Sequence, residues 1–177
     1  MQVFKRASIT LLVLLPALLL SACGWHLRGA EVLDEQLKSL YVDVPGEHVQ
    51  LNRSLKRSLK AMGVELTSTA KDAPLTLSIT KVSDKRRTIS TSGRGKAAEY
   101  ELTSIIGYRI SNSDGETLQG PTQVTAEKVY LFDPNNVVSA YEEEQILRQE
   151  MQRDLIRKII RRYQALRPGE AAMPAGS

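Results

Sequence analysis

Between Leu75 and Phe132 apolar residues fall at alternate positions within three runs, and on either side of that stretch they fall at every third or fourth. The central part therefore reads as strands and the flanks as helices. Leu75, Leu77 and Ile79 alternate with Thr76, Ser78 and Thr80 in a run extending to Ile89. A second run, Glu99–Ile110, carries Tyr100, Leu102, Ile106, Tyr108 and Ile110 in phase, and a third, Thr122–Phe132, carries Val124, Ala126, Tyr130 and Phe132. Ser92-Gly93-Arg94-Gly95 and Asn112-Ser113-Asp114-Gly115 supply the turns between them, so the three runs predict a meander of long strands.

Upstream, Leu40–Val44 alternates briefly before Pro45-Gly46, a short strand ending in a turn. Leu51, Leu55, Leu59 and Met62 then recur at helical spacing, with Arg53, Lys56, Arg57 and Lys60 on other faces and Gly63 ending the run. These cations read as a solvated basic face, with binding of a partner as the alternative. Downstream, Ser139-Ala140-Tyr141-Glu142 matches a capping box and predicts the start of a second helix, whose stripe runs through Leu147, Met151, Leu155, Ile159 and Tyr163. Glu142, Glu143 and Glu144 open that helix and Arg161 and Arg162 close it, in the sense the helix dipole favours. The order β-α-β-β-β-α predicts an α+β domain: a four-stranded mixed sheet with two helices packed on one face. The first strand reaches its neighbour through a helix, so that pair is expected to be parallel.

The first residues change the picture from a plain globular domain. Lys5 and Arg6 precede the apolar run Ile9–Leu20, and Ser21-Ala22 close it, which is the layout of a secretory signal. Leu20-Ser21-Ala22-Cys23 resembles the bacterial lipoprotein signal, in which the cysteine becomes the lipidated first residue, and Cys23 is the only cysteine in the chain. The expected organisation is a signal peptide (1–22), a lipidated tether (23–37), one α+β domain (38–166) and a disordered, Pro/Gly/Ala-rich tail (167–177). Gly24 stands where an Asp would favour retention in the inner membrane, so an outer-membrane address is expected.

Composition excludes several chemistries. A chain of 177 residues with 42% hydrophobic residues and a net charge of +4 packs a core, and one cysteine makes no internal disulfide. His26 and His48 have no nucleophile or metal partner at a motif spacing, so no catalytic residue, metal or cofactor is expected. Charge is concentrated locally instead. Between Lys81 and Lys96, six cations (Lys81, Lys85, Arg86, Arg87, Arg94 and Lys96) face one acid, Asp84. Interleaved with Thr and Ser, such cations suit phosphate groups, although charge on an edge also serves solubility. An exported address disfavours nucleic acid and favours anionic lipid or lipopolysaccharide.

Cys23-Gly24-Trp25-His26-Leu27-Arg28-Gly29 is similar to the mature start of the LPS-assembly lipoprotein LptE family. Gly63-Val64-Glu65-Leu66, Ala98-Glu99-Tyr100 and Phe132-Asp133 resemble the same family in the same order. The resemblance implies a non-enzymatic lipoprotein that plugs the large β-barrel of the outer-membrane lipopolysaccharide translocon, helps it fold and binds lipopolysaccharide. It implies an outer-membrane protein anchored by N-terminal acyl chains and inserted in the barrel lumen. In the family a basic residue in the hairpin between the second and third strands is associated with ligand binding. Arg94 and Lys96 fall in that turn, and Lys85, Arg86 and Arg87 on the strand leading to it extend the candidate site. Some relatives carry a lysine near the start of the last helix, where this sequence has Tyr141 followed by glutamates.

Overall fold

The computed structural model describes residues 35–91, 93 and 97–166. The signal, Cys23, Arg94, Lys96 and the tail lie outside the described residues. A five-stranded sheet has the order β2-β1-β3-β4-β5, with β1 (Ser39–Asp43), β2 (Glu65–Leu66), β3 (Leu75–Thr91), β4 (Ala97–Asn112) and β5 (Thr117–Leu131). Helix α1 (Val49–Ala61) joins β1 to β2, and α2 (Val137–Gln164) follows β5. The α+β class and the mixed sheet agree with the sequence pattern; the strand count does not. The extra strand, β2, is two residues long and too short to show a period, and it exists because Gly63, at φ +84°, turns the chain back alongside β1. As expected, β1 runs parallel to β3, and the meander strands are antiparallel.

Both helices bury their stripes against the same face of the sheet. Leu51, Leu55 and Leu59 of α1 and Met151, Leu155 and Ile159 of α2 join Leu40, Val42, Leu75, Leu77, Leu102 and Tyr108 in one core. Leu37, expected at the end of the tether, is buried in that core, and its carbonyl accepts the Tyr163 hydroxyl at 2.6 Å. A short run lacking any period gave no sign of this long-range bond.

The second helix also starts earlier than the capping box predicts. Asp133 turns the chain by accepting the Asn135 N–H at 2.8 Å, Asn136 takes the N-cap position, and Ser139 lies inside the first turn without capping it. β5 begins at Thr117 and runs through Pro121, because Gly120 (φ +101°) absorbs a register shift against β4 beside it.

One irregularity governs the hairpin. Ile79 pairs with Tyr108 and Lys81 pairs with Gly107, so Thr80 is an extra residue, a β-bulge. Before it, Leu75, Leu77 and Ile79 face the helices; after it Val82, Asp84, Arg86 and Thr88 do, opposite Ile106, Ser104, Leu102 and Tyr100. Gly107 makes room for the bulge, since a Cβ there would lie 3.0 Å from both Thr80 Oγ1 and Lys81 Cβ. Gly107→Val should therefore lower the unfolding free energy by about 1–3 kcal/mol through overpacking, whereas Gly46→Ala, with open space around it, should change it by less than about 0.5 kcal/mol. Urea unfolding of the two variants followed by circular dichroism measures both.

Candidate functional site

The predicted ligand site is the cationic hairpin, and its described part divides by face. Lys85 pairs across the strand with Thr103 and Arg87 with Glu101, on the side away from the helices, whereas Arg86 pairs with Leu102 on the helix side. Arg87 Nη2 donates to Glu101 Oε1 at 3.0 Å, so part of its charge is already met. The Glu101 side chain that accepts this bond is about three-quarters buried. Lys85 is exposed and makes no ion pair among the described residues. The site positions Arg94 and Lys96 are not described, so Lys85, Arg86 and Arg87 are the members whose surroundings can be read.

Arg86 belongs to an internal network that the sequence did not single out. Its guanidinium Nη1 donates to Glu144 Oε2 at 2.8 Å, and Tyr130 Oη donates to the same oxygen at 2.7 Å. Glu144 Oε1 accepts from Arg148 Nε at 2.8 Å and Nη2 at 2.6 Å. The carboxylate thus takes four hydrogen bonds, which fills its acceptor capacity. Arg86 also lies over the Tyr100 ring at 4.7 Å from the centroid, and Tyr100 contacts Phe132 edge-on at 5.2 Å. Glu144 is one of three glutamates that read alike in sequence. Its spacing from the buried Ala140 and Met151 was the signal that it points inward.

Burial by itself would raise the Glu144 carboxyl, but the hydrogen bonds from Tyr130, Arg148 and Arg86 outweigh it and hold the group down at about 2. Burial, then the bond to Glu144, pushes the Tyr130 hydroxyl up to about 12. The bond to Glu144 raises Arg86 against a smaller opposing effect of burial. A depressed carboxyl contributes stability that is complete above its unfolded value near 4.5 and is lost as pH falls toward about 2.

The neighbouring cavity, about 360 Å³, is bounded by His48, Asp84, Ser104, Arg148 and Leu155. The Ser104 hydroxyl donates to Asp84 and not to His48, so the cavity holds an acid-bound serine and no serine–histidine pair. No group of metal-ligating side chains occurs among the described residues, and no helix among them is long and apolar enough to cross a membrane.

Glu144→Ala leaves Arg86, Arg148 and the Tyr130 hydroxyl without their acceptor and should cost about 3 kcal/mol, against less than about 1 kcal/mol for Arg87→Ala at the half-solvated pair. In the parent, unfolding free energy should fall by up to roughly 3 kcal/mol between pH 4.5 and pH 2 on account of this group. Glu144→Gln should flatten that part of the profile, and an unchanged profile would show that the carboxylate is not held charged.

With this geometry in view, comparison with known proteins is informative. The profile of the LptE lipopolysaccharide-assembly family matches residues 37–163. Proteins named LPS-assembly lipoprotein LptE from Photorhabdus laumondii and Pectobacterium atrosepticum are each 28% identical, over 89% of this chain and 85% of theirs. Among solved structures, a minor lipoprotein from Acinetobacter baumannii is 26% identical with a TM-score of 0.61, covering 73% of this chain and 92% of that one. Lipoprotein B from Nitrosomonas europaea shares the fold at 19% identity, with a TM-score of 0.66 over 72% of this chain and 83% of that one. The profile spans most of the chain and all five strands. The chain is a member of the LptE family of lipopolysaccharide-assembly lipoproteins, an assembly factor and not an enzyme.

Proposed function

We propose that this chain plugs the outer-membrane β-barrel of a lipopolysaccharide translocon, assists its assembly, and contacts lipopolysaccharide through hairpin cations. The observation that carries the plug reading is the two-sidedness of the sheet. One face is closed by α1 and α2, while the other presents mainly polar side chains, Thr76, Ser78, Ser83, Thr103, Gln123 and Thr125 with scattered charges, and the exposed Val129 and Leu131 near the end of β5. A barrel lumen is polar, so a long face of hydroxyls, amides and charges is suited to line against it. The family membership supplies the lipopolysaccharide context.

Within that reading the cationic hairpin is narrower than its sequence suggests. Arg86 is held by Glu144 and Arg87 by Glu101, so among the described cations of the run Lys81 and Lys85 make no ion pair, and the proposed contacts to lipid phosphates are Lys85 with Arg94 and Lys96 of the turn sequence. Tyr141 is exposed beside Val138 at the start of α2, so that helix opens with an apolar surface and adds no cation. Cys23 carries the acyl chains in this proposal, and the protein is tethered to the outer membrane facing the periplasm.

Purification of a C-terminally tagged full-length chain from outer membranes in mild detergent should bring down one large barrel protein in equal amount, together with lipopolysaccharide; recovery of the chain alone would sink the plug reading. Charge reversal of Lys85, Arg94 and Lys96 together should weaken binding to purified lipopolysaccharide at least tenfold while leaving stability within about 0.5 kcal/mol. Arg86→Glu should do the opposite and mainly destabilise. Barrel recovery with unchanged lipopolysaccharide binding in the triple reversal would identify an assembly scaffold that does not use these cations for ligand.

A further inference from the structure

Helix α1 carries four cations and no acid: Arg53, Lys56, Arg57 and Lys60. Their spacing places them on one side of the helix, as four like-charged pairs three or four residues apart, each of which weakens the helix. None of the four makes an ion pair among the described residues, although six pairs of lysine or arginine with a carboxylate occur elsewhere among them. A merely solvated face has no need to exclude every acid.

These side chains also share a concave site. Together with Tyr41 of β1 and the Leu66–Ser68 segment, they line a depression of about 600 Å³, and no lining residue is acidic. Two guanidiniums offer planar forks to phosphate oxygens, two ammoniums add compact charge, and Ser68 and Tyr41 bring hydroxyls to the same wall.

The position of the depression indicates the source of the anion. Just after α1, the Glu65 N–H donates to the Lys38 carbonyl at 2.7 Å, so the C-terminal end of α1 lies where the chain enters the domain. Cys23 precedes Glu35 by twelve residues in the sequence, a chain able to reach at most about 40 Å. The hairpin turn lies at the opposite end: Leu75 is level with Leu40, and the sixteen residues from there to Thr91 run about 50 Å along the strand.

We propose that the α1 depression binds the phosphate of an anionic lipid headgroup in the membrane that holds the anchor, through Arg53, Lys56, Arg57 and Lys60. The site is separate from the hairpin cations, and only the source of the phosphate rests on the membrane-anchored reading above. Each cation near a charged membrane surface contributes measurably, and the contribution falls with salt.

The test uses the full-length protein purified from membranes in a non-ionic detergent and titrated with dihexanoyl phosphatidylglycerol, dihexanoyl phosphatidylcholine, inorganic phosphate or purified lipopolysaccharide. Phosphatidylglycerol should bind best and slow hydrogen exchange in α1. Lys56→Glu/Lys60→Glu should weaken it at least tenfold, and Lys56→Gln/Lys60→Gln by less. Circular dichroism confirms that the variants remain folded, as expected for side chains outside the core. Equal affinity in parent and Lys56/Lys60 variants would overturn the site. Phosphatidylglycerol binding no tighter than phosphatidylcholine or inorganic phosphate, or α1 protection by lipopolysaccharide alone, would overturn the lipid assignment. Loss of the barrel from the purification with phosphatidylglycerol binding intact would sink the plug reading and leave this site standing.

Discussion

A strand turns its side chains alternately to two faces, so a single extra residue moves every later side chain to the other face. Thr80 is that residue in β3, and the chemistry of the hairpin depends on it. Had the phase of Leu75, Leu77 and Ile79 continued unbroken, Lys85 and Arg87 would point at the helices and Arg86 away from them. The bulge reverses all three. It delivers Arg86 to Glu144 and sets Lys85 and Arg87 on the face that the helices leave uncovered. Gly107 is the condition for it, since any side chain there meets the bulged residues.

Glu144 turns this local geometry into a tertiary link. Its carboxylate joins Arg86 of β3, Tyr130 of β5 and Arg148 one turn further along α2. Contact with the start of α2 ties the part of the hairpin around Arg86 to the helical layer. A buried charge is costly unless fully bonded, and here four donors bond it. Arg86 therefore acts as a strut although its charge and position look like those of a ligand contact. Two arginines share one carboxylate, which leaves the network net positive without leaving the acid unmatched.

The domain is asymmetric along its length as well as across its sheet. At one end the chain enters beside the C-terminus of α1, next to cations that make no ion pair among the described residues; at the other the strands project as a hairpin carrying Lys85 toward its turn. Cations collect toward both ends, and a near-neutral total charge conceals both. The polar face between them, built from Thr, Ser and Gln on β3, β4 and β5, is one a water-filled lumen accommodates.

Much of this was legible in the sequence. Period-two and period-three-to-four patterns located both helices and the long strands because those elements bury one face each, and burial imposes the period. The opening segment and the scattered family-like segments led to LptE, which the match over residues 37–163 shows. Only the tertiary structure decided what depends on contacts between distant segments. The two-residue β2 exists through pairing with β1, Leu37 is buried through its bond to Tyr163, and Asn136 starts α2 through a turn set by Asp133. A bulge leaves no mark in the alternation of a polar stretch, so the opposite fates of Arg86 and Lys85 could not be read from spacing. Sequence counts charges along the chain, whereas whether a charge is spent internally or left for a partner is settled by which residues fold against it.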